Sequence, residues 1–235
     1  MKYAYYVKKF WPVYILTAFL CLAATAGADH AISTIAENLP VGRSHCIVID
    51  AGHGGEDGGA TSCTGILESQ LNLQIALRLN DICNLLGYQT NMIRTDDISI
   101  YTEGKTLGAK KVSDLRNRVR IVNDTENGIL ISIHQNTFPI AKYHGAQVFY
   151  NSCDSSKQLA ERIQSMFVQT VNHDSNRKCK RADGIYLMER VQKPGVLIEC
   201  GFLSNPNEEA LLRETAYQQK LSCAIASAIS SYLYA

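Results

Sequence analysis

The sequence has almost no net charge, because 23 lysine and arginine residues face 22 aspartate and glutamate residues and leave a formal charge of +1. Without an excess of one sign, no strong long-range field draws the protein to nucleic acid or to an anionic membrane. The sequence also lacks low-complexity segments and internal repeats. Its 235 residues are too few for two large domains and a targeting segment. We therefore expect one domain that recognises its partners through local contacts.

A C-x-x-C pair is also missing, although the chain has eight cysteines. Seven of them follow the first 28 residues, and an odd number in a chain of this size does not indicate a disulfide framework. Export would allow disulfides, but none is predicted. Cys46, Cys83, Cys200 and Cys223 lie in apolar periodic stretches, so we interpret them as small core residues.

The N-terminus indicates export. Lys2, Lys8 and Lys9 precede a charge-free run over Phe10–Ala28 that ends in the small residues ATAGA. This pattern is typical of a secretory signal, and the run also approaches the ~20 apolar residues that span a bilayer. A cleaved signal and a retained anchor both stay open, and in either case the remainder lies outside the cytoplasm. We divide the chain into a signal peptide or membrane anchor (1–28), a linker (29–44) and a catalytic domain (45–235).

Short apolar runs alternate with longer amphipathic stretches from His45 onward. The predicted strands are Cys46–Asp50, Gln89–Arg94, Gly128–His134, Ala146–Tyr150, Gly184–Met188 and Val196–Cys200. The predicted helices are Leu67–Leu86, Val112–Asn123, Ser155–Val171 and most of Asn207–Tyr234. This order predicts an α/β fold in a single domain, with a mostly parallel (mixed) β-sheet of about six strands flanked by helices on both faces.

Four polar residues end a predicted strand, follow one directly or begin a helix. His53 lies in the glycine-rich turn after the first strand, and His134 ends the GILISIH strand. Glu199 ends the apolar VLIE run, and Glu68 begins the first helix. Because the carboxyl ends of parallel strands meet at one edge of a sheet, we expect these side chains to lie close together.

The residue types suit hydrolysis assisted by a metal ion. Two imidazoles and one carboxylate are a common ligand set of catalytic zinc, which keeps one position open and lowers the pKa of bound water to about 7. We predict one Zn²⁺ held by His53, Glu68 and His134. Glu199 would take a proton from the water and pass it to the leaving nitrogen, as general base and then general acid.

Neighbouring polar residues are candidates for support. Asp50, three residues before His53, is a candidate carboxylate that orients an imidazole, and we also assign Asn136 to this supporting set. His144 and His173 are predicted to be exposed. The glycine-rich turn lacks the lysine of a P-loop and the spacing of a dinucleotide fingerprint, which argues against nucleotide binding.

Each of the four residues has a simpler interpretation when it is taken alone. His53 fits a loop histidine, and His134 fits a satisfied core histidine. Glu68 fits a first-turn carboxylate that the helix dipole favours by about 0.3–1 kcal/mol. Glu199 is harder to explain in this way, because an ionised carboxylate within VLIEC is costly unless it is paired or functional. The occurrence of all four together favours the metal site.

Four motifs fall in order along the chain. They are IVIDAGHGGEDGGA (Ile47–Ala60), GILE (Gly65–Glu68), SIHQN (Ser132–Asn136) and LIECGFLSNPNEE (Leu197–Glu209). In order and spacing they resemble the motifs of the zinc-dependent N-acetylmuramoyl-L-alanine amidases. The segment KRADGIYLMERVQKPGVLIE also looks like that family's approach to its catalytic glutamate.

The resemblance implies roles for residues of this chain. It implies that His53, Glu68 and His134 bind zinc and that Glu199 is catalytic, with no substitution at these positions. It also implies the substrate, a peptidoglycan glycan strand with its stem peptide. The bond cleaved would be the amide between the lactyl group of N-acetylmuramic acid and L-alanine, which the residues alone do not identify.

A narrower resemblance concerns HQNTF, GAQVFYN (Gly145–Asn151) and ECGFLSN, which look most like the germination-specific amidases of spore-forming bacteria. It implies action in spore cortex before a deacetylase, as the first step toward muramic δ-lactam. A lipoprotein or a second copy of the chain is a candidate partner. Nothing resembles a separate wall-binding repeat, and the stretch between His134 and Glu199 leaves little room for the autoinhibitory helical insertion of cell-separation amidases.

Other functions stay open on the sequence alone. They are a general cell-wall amidase of vegetative growth, a zinc peptidase that acts within the stem peptide, and a wall-binding module without activity. Intact Glu199 argues against the last of these.

Overall fold

The computed structural model describes residues 45–234. The predicted export segment and the whole of the predicted linker lie outside the described residues. Within the described range, no helix is both long and apolar enough to cross a membrane. The strands are β1 (Cys46–Ala51), β2 (Gln89–Met92), β3 (Gly128–Asn136), β4 (Gln147–Tyr150), β5 (Lys180–Arg181) and β6 (Gly195–Phe202). The helices are α1 (Glu68–Leu85), α2 (Leu107–Asp124), α3 (Asp154–Thr170), α4 (Tyr186–Arg190), α5 (Pro206–Arg213) and α6 (Thr215–Leu233).

The six strands form one sheet in the order β2-β1-β3-β6-β4-β5. Neighbouring strands run parallel except β4, which is antiparallel to β6. The central strands β1, β3 and β6 are rich in isoleucine, valine and leucine, as expected for strands covered on both faces. The predicted mixed, mostly parallel sheet of six strands is confirmed.

Alternate residues of the central strands point to opposite faces of the sheet, because the side-chain period of a strand is two. On β1, Ile47 and Ile49 pack in a large core with α1, α3 and α6. Val48 packs instead in a second, smaller core with α2 and α4. Helices therefore cover both faces, as predicted. By the same alternation, Asp50 of β1 points toward α2 and α4.

The prediction of a strand at Gly184–Met188 is wrong. Its second half belongs to α4, in which the Glu189 N–H donates to the Ile185 carbonyl at 3.0 Å in the i to i−4 pattern of a helix. The Gly184 N–H also donates to the Glu189 carboxylate at 2.7 Å, which stabilises the start of the helix. A short apolar run does not distinguish strand from helix by periodicity, and here local hydrogen bonds decide for the helix.

Other boundaries also differ from the prediction. Helix α2 begins at Leu107, five residues before the predicted start, because the Thr106 hydroxyl accepts a hydrogen bond from the Ala109 N–H at 3.2 Å and caps the helix. The predicted C-terminal helix divides into α5 and α6 at Glu214. The two-residue strand β5 was not predicted.

The cysteines agree only in part with their prediction as core residues. Cys83 and Cys200 are fully buried, and burial raises the pKa of the Cys83 thiol to about 12. Cys46 is half-buried, whereas Cys223 is exposed on α6, so the prediction for Cys223 is wrong. Helix α6 offers Ala224 and Ile225 to the core, and Cys223 lies on its other side. All seven cysteines among the described residues are free thiols.

Candidate metal centre

His53 lies in the turn that follows β1, where the chain leaves the sheet. Its backbone is left-handed, with φ of 61°, a conformation that costs a residue other than glycine about 1–3 kcal/mol. The Gly54 N–H donates to the Asp57 carbonyl at 2.8 Å, which closes the turn behind the histidine. The imidazole Nδ1 lies 3.0 Å from a carboxylate oxygen of Asp57. The turn therefore directs the other ring nitrogen, Nε2, away from Asp57.

Glu68 is the first residue of α1 and is almost fully buried. Its Oε2 accepts from the Ala60 N–H at 2.9 Å, and its Oε1 accepts from the Gln135 N–H at 3.2 Å. The Asn72 amide, one helical turn later, donates to Oε1 at 3.3 Å. Hydrogen bonds from three segments thus fix this carboxylate.

His53, Glu68 and His134 meet at one point. His53 Nε2 lies 3.3 Å from Glu68 Oε2, and His134 Nδ1 lies 3.0 Å from Glu68 Oε1. One donor atom from each residue lies within 4.8 Å of the other two. The two imidazole rings stand edge to face, with centroids 5.0 Å apart. The structure therefore brings together the three residues predicted as ligands, and this group fits a metal ion.

Two glycines make room for this group. A Cβ atom at Gly52 would lie 2.2 Å from Nε2 of His134, and a Cβ atom at Gly59 would lie 2.6 Å from Oε2 of Glu68. Gly59 also has a positive φ of 69°, which favours glycine. Side chains at these positions would therefore displace two of the three candidate ligands. The sequence shows the glycines but not which side chains they admit.

Glu199 lies beside His134, because the two residues are paired in register on the neighbouring strands β6 and β3. Its neighbours Ile198 and Cys200 point into the large core, so its side chain points to the opposite face. Its Oε2 atom is buried and has no hydrogen-bond partner among the described residues. Burial raises the pKa of this carboxyl to about 7, helped by the negative charge of Glu68 and opposed by the histidines. A carboxyl of this kind can exchange a proton near neutral pH.

The candidate ligands shift one another's pKa values. Burial lowers the pKa of His53, but its hydrogen bonds to Asp57 and Glu68 outweigh this effect and raise the pKa to about 9. Burial acts to raise the pKa of Glu68, but the two imidazoles hold it well below its usual range. Glu68 is thus a buried anion between two basic rings. A divalent cation would be stabilised at the same place by the same carboxylate.

The predicted supporting residues lie close by but make different contacts. Asp50 accepts from the Ser132 hydroxyl at 2.6 Å and from the Arg118 guanidinium, so its hydrogen bonds go to these groups and its role in orienting an imidazole stays a prediction. Its side chain follows the β1 alternation toward α2, where Arg118 is located. Asn136 ends β3, and its backbone carbonyl accepts from the Leu203 N–H at 2.8 Å.

Asp57 is the supporting carboxylate that the sequence analysis missed. It binds His53 Nδ1 and also the ammonium of Lys111 at 3.0 Å. Its position four residues after the histidine, in the same glycine-rich turn, was the available signal. His144 and His173 are exposed, as predicted.

A cavity of about 140 Å³ opens beside the candidate ligands. Polar and charged groups and apolar side chains of α4 and β6 line it together. The lining includes His53, His134, Tyr186, Leu187 and Leu197. The helix α4 that replaced a predicted strand therefore forms part of the wall. The site therefore has a ligand set, an adjacent carboxyl and a cavity that reaches two of the candidate ligands, His53 and His134.

Comparison with known proteins identifies the chain's family. The N-acetylmuramoyl-L-alanine amidase family (Amidase 3) matches residues 47–231. The germination-specific N-acetylmuramoyl-L-alanine amidase of Bacillus subtilis (strain 168) is 41% identical over 188 residues, which cover 79% of this chain and 78% of that protein. The CwlD amidase of Clostridioides difficile, solved in complex with the GerS lipoprotein, superposes with a TM-score of 0.78 at 40% identity and covers 81% of this chain and 98% of its own. An N-acetylmuramoyl-L-alanine amidase of Clostridium difficile 630 superposes with a TM-score of 0.70 at 31% identity, over 82% of this chain and 98% of its own. The chain therefore belongs to the N-acetylmuramoyl-L-alanine amidase family, and the amide hydrolase predicted from its motifs is confirmed.

Proposed function

We propose that this amidase depends on zinc and hydrolyses the amide bond between the lactyl group of N-acetylmuramic acid and L-alanine of the stem peptide. The observation that carries the proposal is the meeting of two imidazoles and one carboxylate, with donor atoms within 4.8 Å. Beside them lies a buried carboxyl oxygen of Glu199 that has no hydrogen-bond partner within residues 45–234. Three nitrogen and oxygen donors are the usual protein ligands of catalytic zinc. The unpaired oxygen of Glu199 leaves an acceptor for the proton of an attacking water.

His53, Glu68 and His134 would hold the ion. When bound, zinc supplies a Lewis acid that polarises the scissile carbonyl and acidifies water. Asp57 keeps the His53 ring oriented through Nδ1, which leaves Nε2 for the metal. The amides of Asn72 and Gln135 keep the Glu68 carboxylate in place.

Glu199 carries the proton. Its carboxylate takes a proton from the water that adds to the lactyl carbonyl carbon. As the carbon–nitrogen bond breaks, the same carboxyl gives that proton to the nitrogen of L-alanine. The products are a free lactyl carboxyl on the sugar and a stem peptide with a free N-terminal L-alanine. Burial raises the pKa of Glu199 above its ordinary value, and a raised pKa suits a carboxyl that both takes and gives a proton.

The zinc dependence predicts a measurable result. The purified protein will hold one zinc per chain, a chelator will stop peptide release, and added zinc will restore it. Zinc at a free concentration of 100 times its Kd will also stabilise the folded protein by about 2.7 kcal/mol, seen as a higher Tm. Mass spectrometry of fragments from purified peptidoglycan will find intact stem peptides that begin with L-alanine. Fragments cut within the stem peptide would instead identify a peptidase.

We also propose that the enzyme acts outside the cytoplasm on spore cortex, before a deacetylase, in the sequence that forms muramic δ-lactam. The germination-specific relative at 41% identity supports this role. The similar C. difficile amidase solved with a lipoprotein supports a lipoprotein as partner. A second copy of the chain is the alternative partner.

The cortex role predicts a phenotype. Deletion of the protein from its host will leave spores without muramic δ-lactam, and wild-type protein supplied in trans will restore it. Expression of the Glu199→Gln variant will not restore it. Spores of the deletion strain with normal δ-lactam would contradict the cortex role and favour a vegetative wall amidase, while leaving the amidase chemistry in place.

A further inference from the structure

Arg94 is a buried arginine that binds backbone on both sides of the candidate metal centre. It is 2% exposed, and it donates to the Ala51 carbonyl at 2.8 Å and to the Gly52 carbonyl at 3.0 Å, just before His53. The nitrogen that binds the Gly52 carbonyl also donates to the Ser69 carbonyl at 2.9 Å, directly after Glu68. One guanidinium therefore joins the backbone beside two of the three candidate ligands.

Arg118 is a second buried arginine, 2% exposed, on α2. It donates to the His53 carbonyl at 2.7 Å and to the Ala51 carbonyl at 3.0 Å. Its remaining donors bind the carboxylates of Asp50 and of Asp114, the latter at 2.6 Å. The two carboxylates neutralise its charge and fix its plane. Arg118 thus holds the backbone of His53 through its carbonyl.

The two guanidiniums together bind three successive backbone carbonyls, from Ala51 to His53. At this point the chain leaves the sheet, so these carbonyls need other partners. Because an arginine presents several donors in a rigid plane, it can fix the direction of adjacent carbonyls in a way that a point charge cannot. The left-handed backbone of His53, with φ of 61°, is held within this frame.

The charge of Arg94 favours a functional reason for its position. Among the described residues it has no carboxylate within ion-pair distance, and its donors bind only backbone carbonyls. Burial accordingly lowers its pKa, with the charge of Arg118 acting in the same direction. The charges of Asp50, Asp97 and Asp114 oppose this shift from beyond ion-pair distance. A buried guanidinium is costly unless its donors are paired, and for Arg94 the carbonyls beside the candidate ligands supply that pairing.

We propose that Arg94 and Arg118 are positioning residues that set the backbone of His53 and its separation from Glu68, so that the ligand group is formed before the metal binds. This inference rests on the proposed zinc site. Each arginine therefore affects the zinc Kd in addition to the Tm.

The test is the zinc Kd of the full folded protein, measured by competition with a chromogenic chelator below the Tm. Arg94→Lys and Arg118→Lys keep the charge but lose the planar set of donors. Each will weaken zinc binding about 10–100-fold, as loss of residues that orient metal ligands does. Excess zinc will restore much of the peptide release. The control is Gln218→Leu, because Gln218 is fully buried and donates two hydrogen bonds near α5 and α6; it will lower the Tm without changing the zinc Kd.

Unchanged zinc Kd values in both lysine variants, with a lower Tm, would overturn the inference and leave the arginines a structural role. A wild-type protein that binds no zinc would overturn the proposed metal site and this inference with it. If either lysine variant does not fold, Asp114→Asn decides, since it keeps Arg118 but removes the charge of one of its anchors. A zinc Kd for Asp114→Asn weakened severalfold supports the inference, and a wild-type Kd overturns it.

Discussion

Replacing Glu199 with glutamine will lower the rate of stem-peptide release from purified peptidoglycan by about 10²–10⁴-fold, the usual loss when a general base and acid is removed. Glutamine has the same shape as glutamate but cannot take a proton from water or deliver one to the leaving nitrogen. The metal ligands are untouched, so the variant will bind zinc like the wild type. The fall will therefore be in kcat, with the metal still in place.

The same variant has an effect on stability whose sign follows from the pKa of Glu199. Because burial raises the folded-state pKa from 4.5 to about 7, the unfolded chain gives up this proton more readily, and folding loses stability as pH rises through that interval. Glutamine has no carboxyl to titrate, so the variant does not lose this stability as the pH rises. In the presence of a chelator at pH 8, the Tm of Glu199→Gln will therefore equal or exceed that of the wild type.

Glu161→Gln is the matched control, because Glu161 is exposed on α3 and its variant will keep full activity. Wild-type rates for Glu199→Gln would show that the proton passes through another group. Loss of zinc together with activity would instead show that Glu199 contributes to metal binding. Measuring both zinc content and kcat therefore separates a role in proton transfer from a role in metal binding.

The substitution Gly52→Ala will weaken zinc binding and peptide release by about 10²-fold or more. The new methyl group would lie 2.2 Å from Nε2 and 2.3 Å from Cε1 of His134, a distance at which the ring must move. The ring cannot turn away without losing its contact with Glu68, whose Oε1 lies 3.0 Å from His134 Nδ1. Displacement of a reacting group by about 1 Å is enough for a loss of this size.

Gly108→Ala provides the comparison. Gly108 is the second residue of α2 and has open space at its Cβ position, so alanine there will leave activity unchanged and will not lower the Tm. Zinc content and kcat/KM of the two variants are the measurements. A Gly52→Ala protein with wild-type zinc affinity would mean that His134 is not a ligand in the position described.

The features predictable from sequence were those that depend on periodicity and on the direction of strands. The apolar runs predicted β1, β3 and β6. Because parallel strands end at the same edge of a sheet, they also predicted that His134, Glu199 and the turn of His53 lie together. Glu68 was included in the predicted site because it begins the first predicted helix. These residues are brought together as predicted, and their catalytic and metal-binding roles are proposals that the variants above test.

The features that escaped prediction depend on contacts between distant segments. Nothing in the sequence around Arg94 or Arg118 indicates that three backbone carbonyls lie within their reach. Asp50 was assigned to an imidazole from its closeness in sequence, and its contact with Arg118 was not predicted. The helix α4 is too short for its periodicity to be read. In each case the deciding partner lies dozens of residues away or the local signal is ambiguous.

The placement of the candidate ligands on separate segments has a consequence for how metal and fold depend on each other. His53, Glu68 and His134 come from a turn, a helix start and a strand end that meet only when β1, β3 and α1 have packed. An unfolded or half-folded chain holds no two of these donors in place, so it cannot capture the ion tightly. Zinc will therefore enter after the sheet has formed, and its release by a chelator will leave a folded chain that can be loaded again.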